Sequence, residues 1–151
     1  NKGGYSVSTI KHAHHAFDVD TPGKDSHRHR AAGASEVLVT SKKRWALMHE
    51  TRNSPELELK ELVNRLTPVD LVLVEGFKRE ALDKLEVFRV ETGKGLLQPD
   101  DPHIVAVASN MPITGLSVPF FNLDAIAEIA SFIVTHCKIN IQSSDFREKG
   151  H

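Results

Sequence analysis

The chain has 151 residues, 40% hydrophobic and 26% charged, the composition of a globular chain and not of a disordered one. Nineteen Lys and Arg stand against twenty Asp and Glu, so no global charge draws the protein to nucleic acid or to an anionic membrane. A single Cys, Cys137, excludes an internal disulfide framework, and no apolar run approaches the roughly 20 residues of a membrane span, which points to a reducing, cytoplasmic setting.

In chain order, the opening Asn1-Lys2-Gly3-Gly4 reads as the end of a helix, lysine in a last turn followed by glycine. A strand and a helix are therefore expected upstream of it. Tyr5–Ile10 is β-rich and predicts a strand, followed by a polar loop from Lys11 to Lys24 with Pro22-Gly23 as its turn. Asp25 stands as N-cap of a short helix over 26–32 that Gly33 ends. Residues 36–40 and 44–48 predict a hairpin across Ser41-Lys42-Lys43.

The next helix is expected to start at Ser54-Pro55, with Leu59, Leu62, Val63 and Leu66 forming its apolar face and Thr67-Pro68 stopping it. Leu71–Val74 and Ile104–Ala108 are apolar on both faces, as strands covered on both sides require. Residues 84–90 predict a further strand, and 118–121 an edge strand because of Pro119. Asn122 or Asp124 is expected to cap a last helix with Ile126, Ile129, Ala130 and Ile133 on one face. The pattern predicts one α/β domain over 1–138, built on a mostly parallel sheet flanked by helices, with a polar tail over 139–151.

Ligands of such sheets sit beyond the carboxyl ends of the strands, so residues there are the candidates. The apolar strand 71–74 delivers Glu75-Gly76, a rigidly placed acid able to hold Mg²⁺, followed by a residue that tolerates φ > 0 or close backbone approach. The strand 104–108 delivers Ser109-Asn110, where Asn110 offers both a donor and an acceptor to a purine edge. The first strand delivers Lys11-His12 into a loop that, through Ser26, holds three His, three Asp and two Lys. Lys11, with His12, His14 and His15, suits phosphate, while Asp25 joins Glu75 on the Mg²⁺ side. A transition-metal site is the competing reading of the His cluster, though it has neither helical i, i+4 spacing nor a partnering Cys.

Four blocks in order resemble the MobB family, the adapter of molybdopterin-guanine dinucleotide biosynthesis. They are the run from Lys11 to Ser26, Arg44-Trp45-Ala46-Leu47-Met48, Asp70 to Lys78, and Ile104 to Ser109. The resemblance implies a P-loop NTPase-like α/β domain with an inserted β-hairpin, a GTP and Mg²⁺ site, weak GTPase activity and a homodimer. It also implies a molybdopterin guanylyltransferase, with molybdopterin, as partner. No G-x-x-x-x-G-K-[ST] and no Asn-Lys-x-Asp occurs in the 151 residues. The phosphate-holding loop is therefore expected in the missing upstream strand and helix, and turnover is expected of the complete protein and not of this chain alone. Two further readings stay open: a non-catalytic dimeric scaffold that docks on an enzyme, and a His-rich metal-binding module.

Overall fold

The structure is a computed structural model in which residues 3–13 and 17–140 are described. The chain divides into two compact units, Ser8–Phe77 and the remainder, Asn1–Val7 with Lys78–His151. The α/β expectation is met, with the strands among the described residues distributed over three sheets.

In the 8–77 unit, β1 (Val7–Lys11) pairs with β4 (Leu71–Glu75). The first strand thus lies two residues further along than Tyr5–Ile10, and Lys11 is its last residue instead of the first of the loop. The hairpin forms as expected, one residue shifted in its second strand: β2 (Glu36–Thr40) pairs antiparallel with β3 (Trp45–His49), Leu38 opposite Leu47. Ser41 closes its turn, with its N–H on the Arg44 carbonyl at 2.8 Å. Helix α1 (Asp25–Ala31) packs on β2.

Two helix starts differ from the sequence expectation in this unit. Lys24, not Asp25, occupies the N-cap of α1, and Asp25 is the first helical residue, where its negative charge meets the positive end of the dipole. Helix α2 (Leu59–Val63) begins after Glu58 and not at Ser54. Glu58 and Glu61 form a reciprocal capping box that fixes the boundary there, while the Ser54 N–H goes back to the Thr51 carbonyl in a turn.

In the 78–151 unit, β5 (Lys84–Phe88), β6 (Ile104–Ser109) and β7 (Phe120–Asn122) make a parallel sheet in the order β5-β6-β7. The middle strand is the core: Ala106, Val107, Ala108 and Ser109 are fully buried and Ile104 nearly so. An apolar strand with two neighbours has nowhere to expose a polar alternate, which explains the unbroken run. Helix α3 (Ile126–His136) follows, capped at Ala125 and without a side-chain cap from Asn122 or Asp124. The Asn122 side-chain oxygen instead accepts the Asp124 N–H at 2.9 Å, an Asx turn that uses up the capping chemistry before the helix starts. Ile126 is exposed, and the anchor of α3 is aromatic: Phe132 meets Phe121 at 5.2 Å and stacks on His136 at 5.4 Å.

Candidate functional site

Lys11 closes β1, Glu75 closes β4, and the two ends meet. The Lys11 ammonium donates to Glu75 Oε1 at 3.1 Å, both side chains about 70% exposed. The two groups assigned to phosphate and metal therefore partner each other, in a water-facing pair whose strength is within about 1 kcal/mol.

Just beyond, the backbone N–H of His12 donates to the Glu75 carbonyl at 2.8 Å and carries the ladder one residue past the strands. Gly76 follows at φ +102, and a Cβ there would lie 2.6 Å from the Cβ of His12. His12 thus comes close to Gly76, and that approach together with the positive φ requires a glycine there. The His12 imidazole lies against Phe77, ring centroids 5.0 Å apart, and its Nε2 is 2.8 Å from a Glu56 carboxylate oxygen. His12 therefore packs at the floor of the strand end, with its imidazole directed to Glu56. Phe77 itself sits at φ +26, an unusual conformation for a side-chain-bearing residue.

Asp25 pairs loosely with Arg28, one turn along α1, at 3.7 Å and is largely exposed. The loop before it is tied down by an arginine. Arg30 donates to Asp18 at 2.7 and 2.9 Å, to Asp20 at 3.4 Å and to Glu50 at 3.0 Å, while the Ser26 hydroxyl donates to Asp20 at 2.8 Å. The Arg30 and Asp20 side chains are 16% and 8% exposed. The Arg30 guanidinium holds the Asp18 carboxyl below its ordinary value, and the Ser26 hydroxyl, with Arg30, does the same for Asp20. In the sequence Arg30 is one cation in a basic helix; the available signal was the i, i+4 spacing of Ser26 and Arg30, which puts both on the helix face opposite an Asp-rich loop.

In the 78–151 unit, Ser109 and Asn110 stand at the carboxyl end of β6. Ser109 is fully buried and its hydroxyl accepts the Met111 N–H at 3.2 Å, so its side chain builds the turn. Asn110 donates its amide to Glu91 at 2.6 Å. His14 and His15 lie outside the described residues. Among the described residues no group of three or more His, Cys, Asp or Glu is gathered so as to hold a metal ion. Magnesium needs less, one or two carboxylates with phosphate and water completing the shell, and the exposed Glu75 fits that requirement.

Residues 1–110 match the family Molybdopterin guanine dinucleotide synthesis protein B, MobB. The chain belongs to the MobB family. A molybdopterin-guanine dinucleotide biosynthesis adapter protein of Escherichia coli strain K12 is 42% identical over 137 residues, spanning 87% of this chain and 76% of that protein. The Haemophilus influenzae protein of the same name is 41% identical over 127 residues, spanning 84% and 70%. The crystal structure of a MobB homolog from Bacillus stearothermophilus superposes with a TM-score of 0.63 at 23% identity, covering 92% of this chain and 82% of that one. The fold of this MobB-family chain is accordingly the α/β fold of those MobB structures. Among the described residues no helix is long and apolar enough to cross a membrane.

Proposed function

We propose that the protein is a GTP- and Mg²⁺-binding adapter of molybdopterin-guanine dinucleotide biosynthesis, a cytoplasmic homodimer working beside the guanylyltransferase that joins GMP to molybdopterin. The observation that carries the nucleotide part is the exposed Lys11–Glu75 pair at the joint end of β1 and β4. A cation and an acid held there by a weak, solvated bond can exchange partners at little cost. Lys11 would then hold phosphate oxygens and Glu75 would hold the magnesium ion, directly or through water, with Asp25 as the second acid. Magnesium, when bound, neutralises phosphate charge. The role of His12, Gly76 and Phe77 is to keep that strand end rigid, and that of the Arg30 cluster is to fix the loop leading to Asp25. Glu75→Gln is expected to weaken Mg²⁺-dependent GTP binding in calorimetric titration while the circular dichroism melt stays unchanged. Magnesium dependence identical to wild type would sink the assignment.

The dimer part rests on the hairpin. Leu38, Val39, Trp45 and Leu47 are each 45% or more exposed. A two-stranded hairpin with that much apolar surface in water is marginal alone, and pairing with the same hairpin of a second copy would cover it. Val39→Glu or Leu47→Glu is expected to give a folded monomer in sedimentation velocity. A wild-type protein that sediments as a monomer at micromolar concentration removes this part of the reading and leaves the nucleotide part standing.

A further inference from the structure

The hairpin of the 8–77 unit is a two-stranded sheet, and among the described residues no further strand pairs with either of its edges. The hydrogen bonds at its two ends show which backbone groups those edges present. The Ser41 N–H donates to the Arg44 carbonyl at 2.8 Å, and the Glu50 N–H donates to the Ser35 carbonyl at 2.9 Å. Both pairs continue the register of β2 with β3, in which Leu38 stands opposite Leu47. Hydrogen-bonded pairs alternate along an antiparallel ladder, so Arg44, Ala46, Met48 and Glu50 use their backbone groups on the β2 side. Trp45, Leu47 and His49 direct theirs outward. An open edge of that kind is a template for one more strand.

A second copy meets that template only in certain registers. A two-fold axis through an antiparallel strand pair lies midway between opposite residues, so one residue must face its own copy. Leu47 is the middle one of the three outward-facing residues, and centring there lets all five residues of β3 take part, with Trp45 opposite His49 of the second copy. One step further along, Arg44 falls opposite Glu50 of the second copy, and the symmetry repeats that pair at the other end. Both residues belong to the sheet face of Ala46 and Met48. Arg44 is exposed, and among the described residues no carboxylate pairs with it. Glu50 gives Oε1 to Arg30 at 3.0 Å and keeps its side chain 36% exposed. Opposite charges directly across antiparallel strands stabilise the pairing. The open edge of β2 has no such match: centred on Leu38, it sets Glu36 opposite Thr40 and Ser35 opposite Ser41.

We propose that two copies join edge to edge through β3, with Leu47 opposite Leu47 and Arg44 opposite Glu50 of the second copy. The proposal rests on the homodimer reading above and adds which edge is used and in which register. The joined sheet has four strands in the order β2-β3-β3-β2, beyond the two at which a hairpin is marginal in water. On one of its faces Leu38 and Leu47, 58% and 45% exposed in the single chain, fall into one row with the same two residues of the second copy and flank one another. Lys42 and Lys43 lie in the turn beyond Arg44 and take no place in the ladder. The ion pairs fix the register, because moving the centre from Leu47 to Trp45 or His49 removes both of them at once.

The test is sedimentation velocity of the full chain, with circular dichroism as the check on folding. Arg44→Glu sets acid against acid and Glu50→Arg sets cation against cation, so each variant is expected to self-associate about tenfold or more weakly than wild type. Mixed in equal amounts, the two variants restore both pairs with the charges exchanged, and they are expected to associate with each other nearly as well as wild type does. A second measurement is independent of those charges. In a Cys137→Ser background, Leu47→Cys is expected to give a disulfide-linked dimer on mild oxidation, because opposite residues of a hydrogen-bonded pair stand about 5.5 Å apart at Cα. Leu38→Cys is expected to give none, because its copy lies three strand spacings away, roughly 14 Å. A wild type that sediments as a monomer at micromolar concentration overturns the dimer reading itself. A dimeric wild type whose folded variants associate no better mixed than alone, or in which Leu38→Cys links and Leu47→Cys does not, overturns this edge and register and leaves the dimer standing.

Discussion

Two ion-pair clusters in the 8–77 unit use the same groups to opposite ends. At the joint end of β1 and β4, Lys11 and Glu75 form one bond between side chains about 70% exposed. Between the loop and α1, Arg30 spreads its guanidinium over Asp18, Asp20 and Glu50 while only 16% exposed. The first pair is isolated and solvated, so water and salt compete with it freely. The second is a network in which all three guanidinium nitrogens donate and both Asp18 and Asp20 have further donors, the Asp20 N–H for the first and the Ser26 hydroxyl and Thr21 N–H for the second. The lesson is that a charge on the surface becomes architecture only when it is shared, and an unshared charge stays available for a ligand.

The largest effect expected concerns the floor beneath the exposed pair. Gly76→Ala places a Cβ 2.6 Å from the Cβ of His12 at φ +102, and about 3 kcal/mol of stability is expected to go, combining the left-handed penalty with overpacking. Urea denaturation reads it; a loss no larger than for an ordinary surface glycine breaks the view that the strand end is rigid. Arg30→Met comes next. It leaves the nearly buried Asp20 without its cation, and the urea midpoint is expected to fall clearly, whereas Lys11→Ala should leave it in place.

The pH dependence sharpens the same contrast. Asp18 and Asp20 titrate below their ordinary value of 3.8 when folded, so near that pH the unfolded chain binds more protons than the native one. Their contribution to stability is complete above the unfolded value and is lost as pH falls through the folded values. Wild type is therefore expected to lose stability below about pH 4, and Arg30→Met to lose less over the same window, in thermal melts across acid buffers. The smallest effect belongs to the exposed pair: Lys11→Ala or Glu75→Gln should change unfolding stability by less than about 1 kcal/mol. A larger change would mean that this pair too is architecture.

How much of this was legible in the sequence follows from range. The apolar runs at 71–74 and 104–108, and the hairpin with its turn at 41–43, show their periodicity within a few residues, and the structure has strands at each of these places. Helix starts were less legible, because Ser54-Pro55 and Glu58 with Glu61 both carry start chemistry and only packing chooses Glu58, whose neighbour Leu59 is the buried residue. At the site, the positions of Glu75 and Gly76 could be read from the strand before them. Their partners could not: Lys11 is 64 residues away from Glu75, and the crowding of Gly76 by His12 is a three-dimensional fact. The contact of Glu91 with Asn110 was likewise hidden, because it depends on the register of β5 with β6.

The pairing of β1 with β4 also bears on the order of assembly. Each neighbour of β6 lies close to it along the chain, β5 before and β7 after, so that sheet closes short loops. The end of β1 must find a partner 64 residues on, and the entropy of closing such a loop is spent before any contact repays it. The hairpin and the Arg30 cluster lie inside that loop and tie residues 18, 20, 30 and 50 together, which shortens the span left to search. In pulsed hydrogen exchange the amides of β6 should gain protection before those of β1, and removing Arg30 should delay β1 while leaving β6 on schedule.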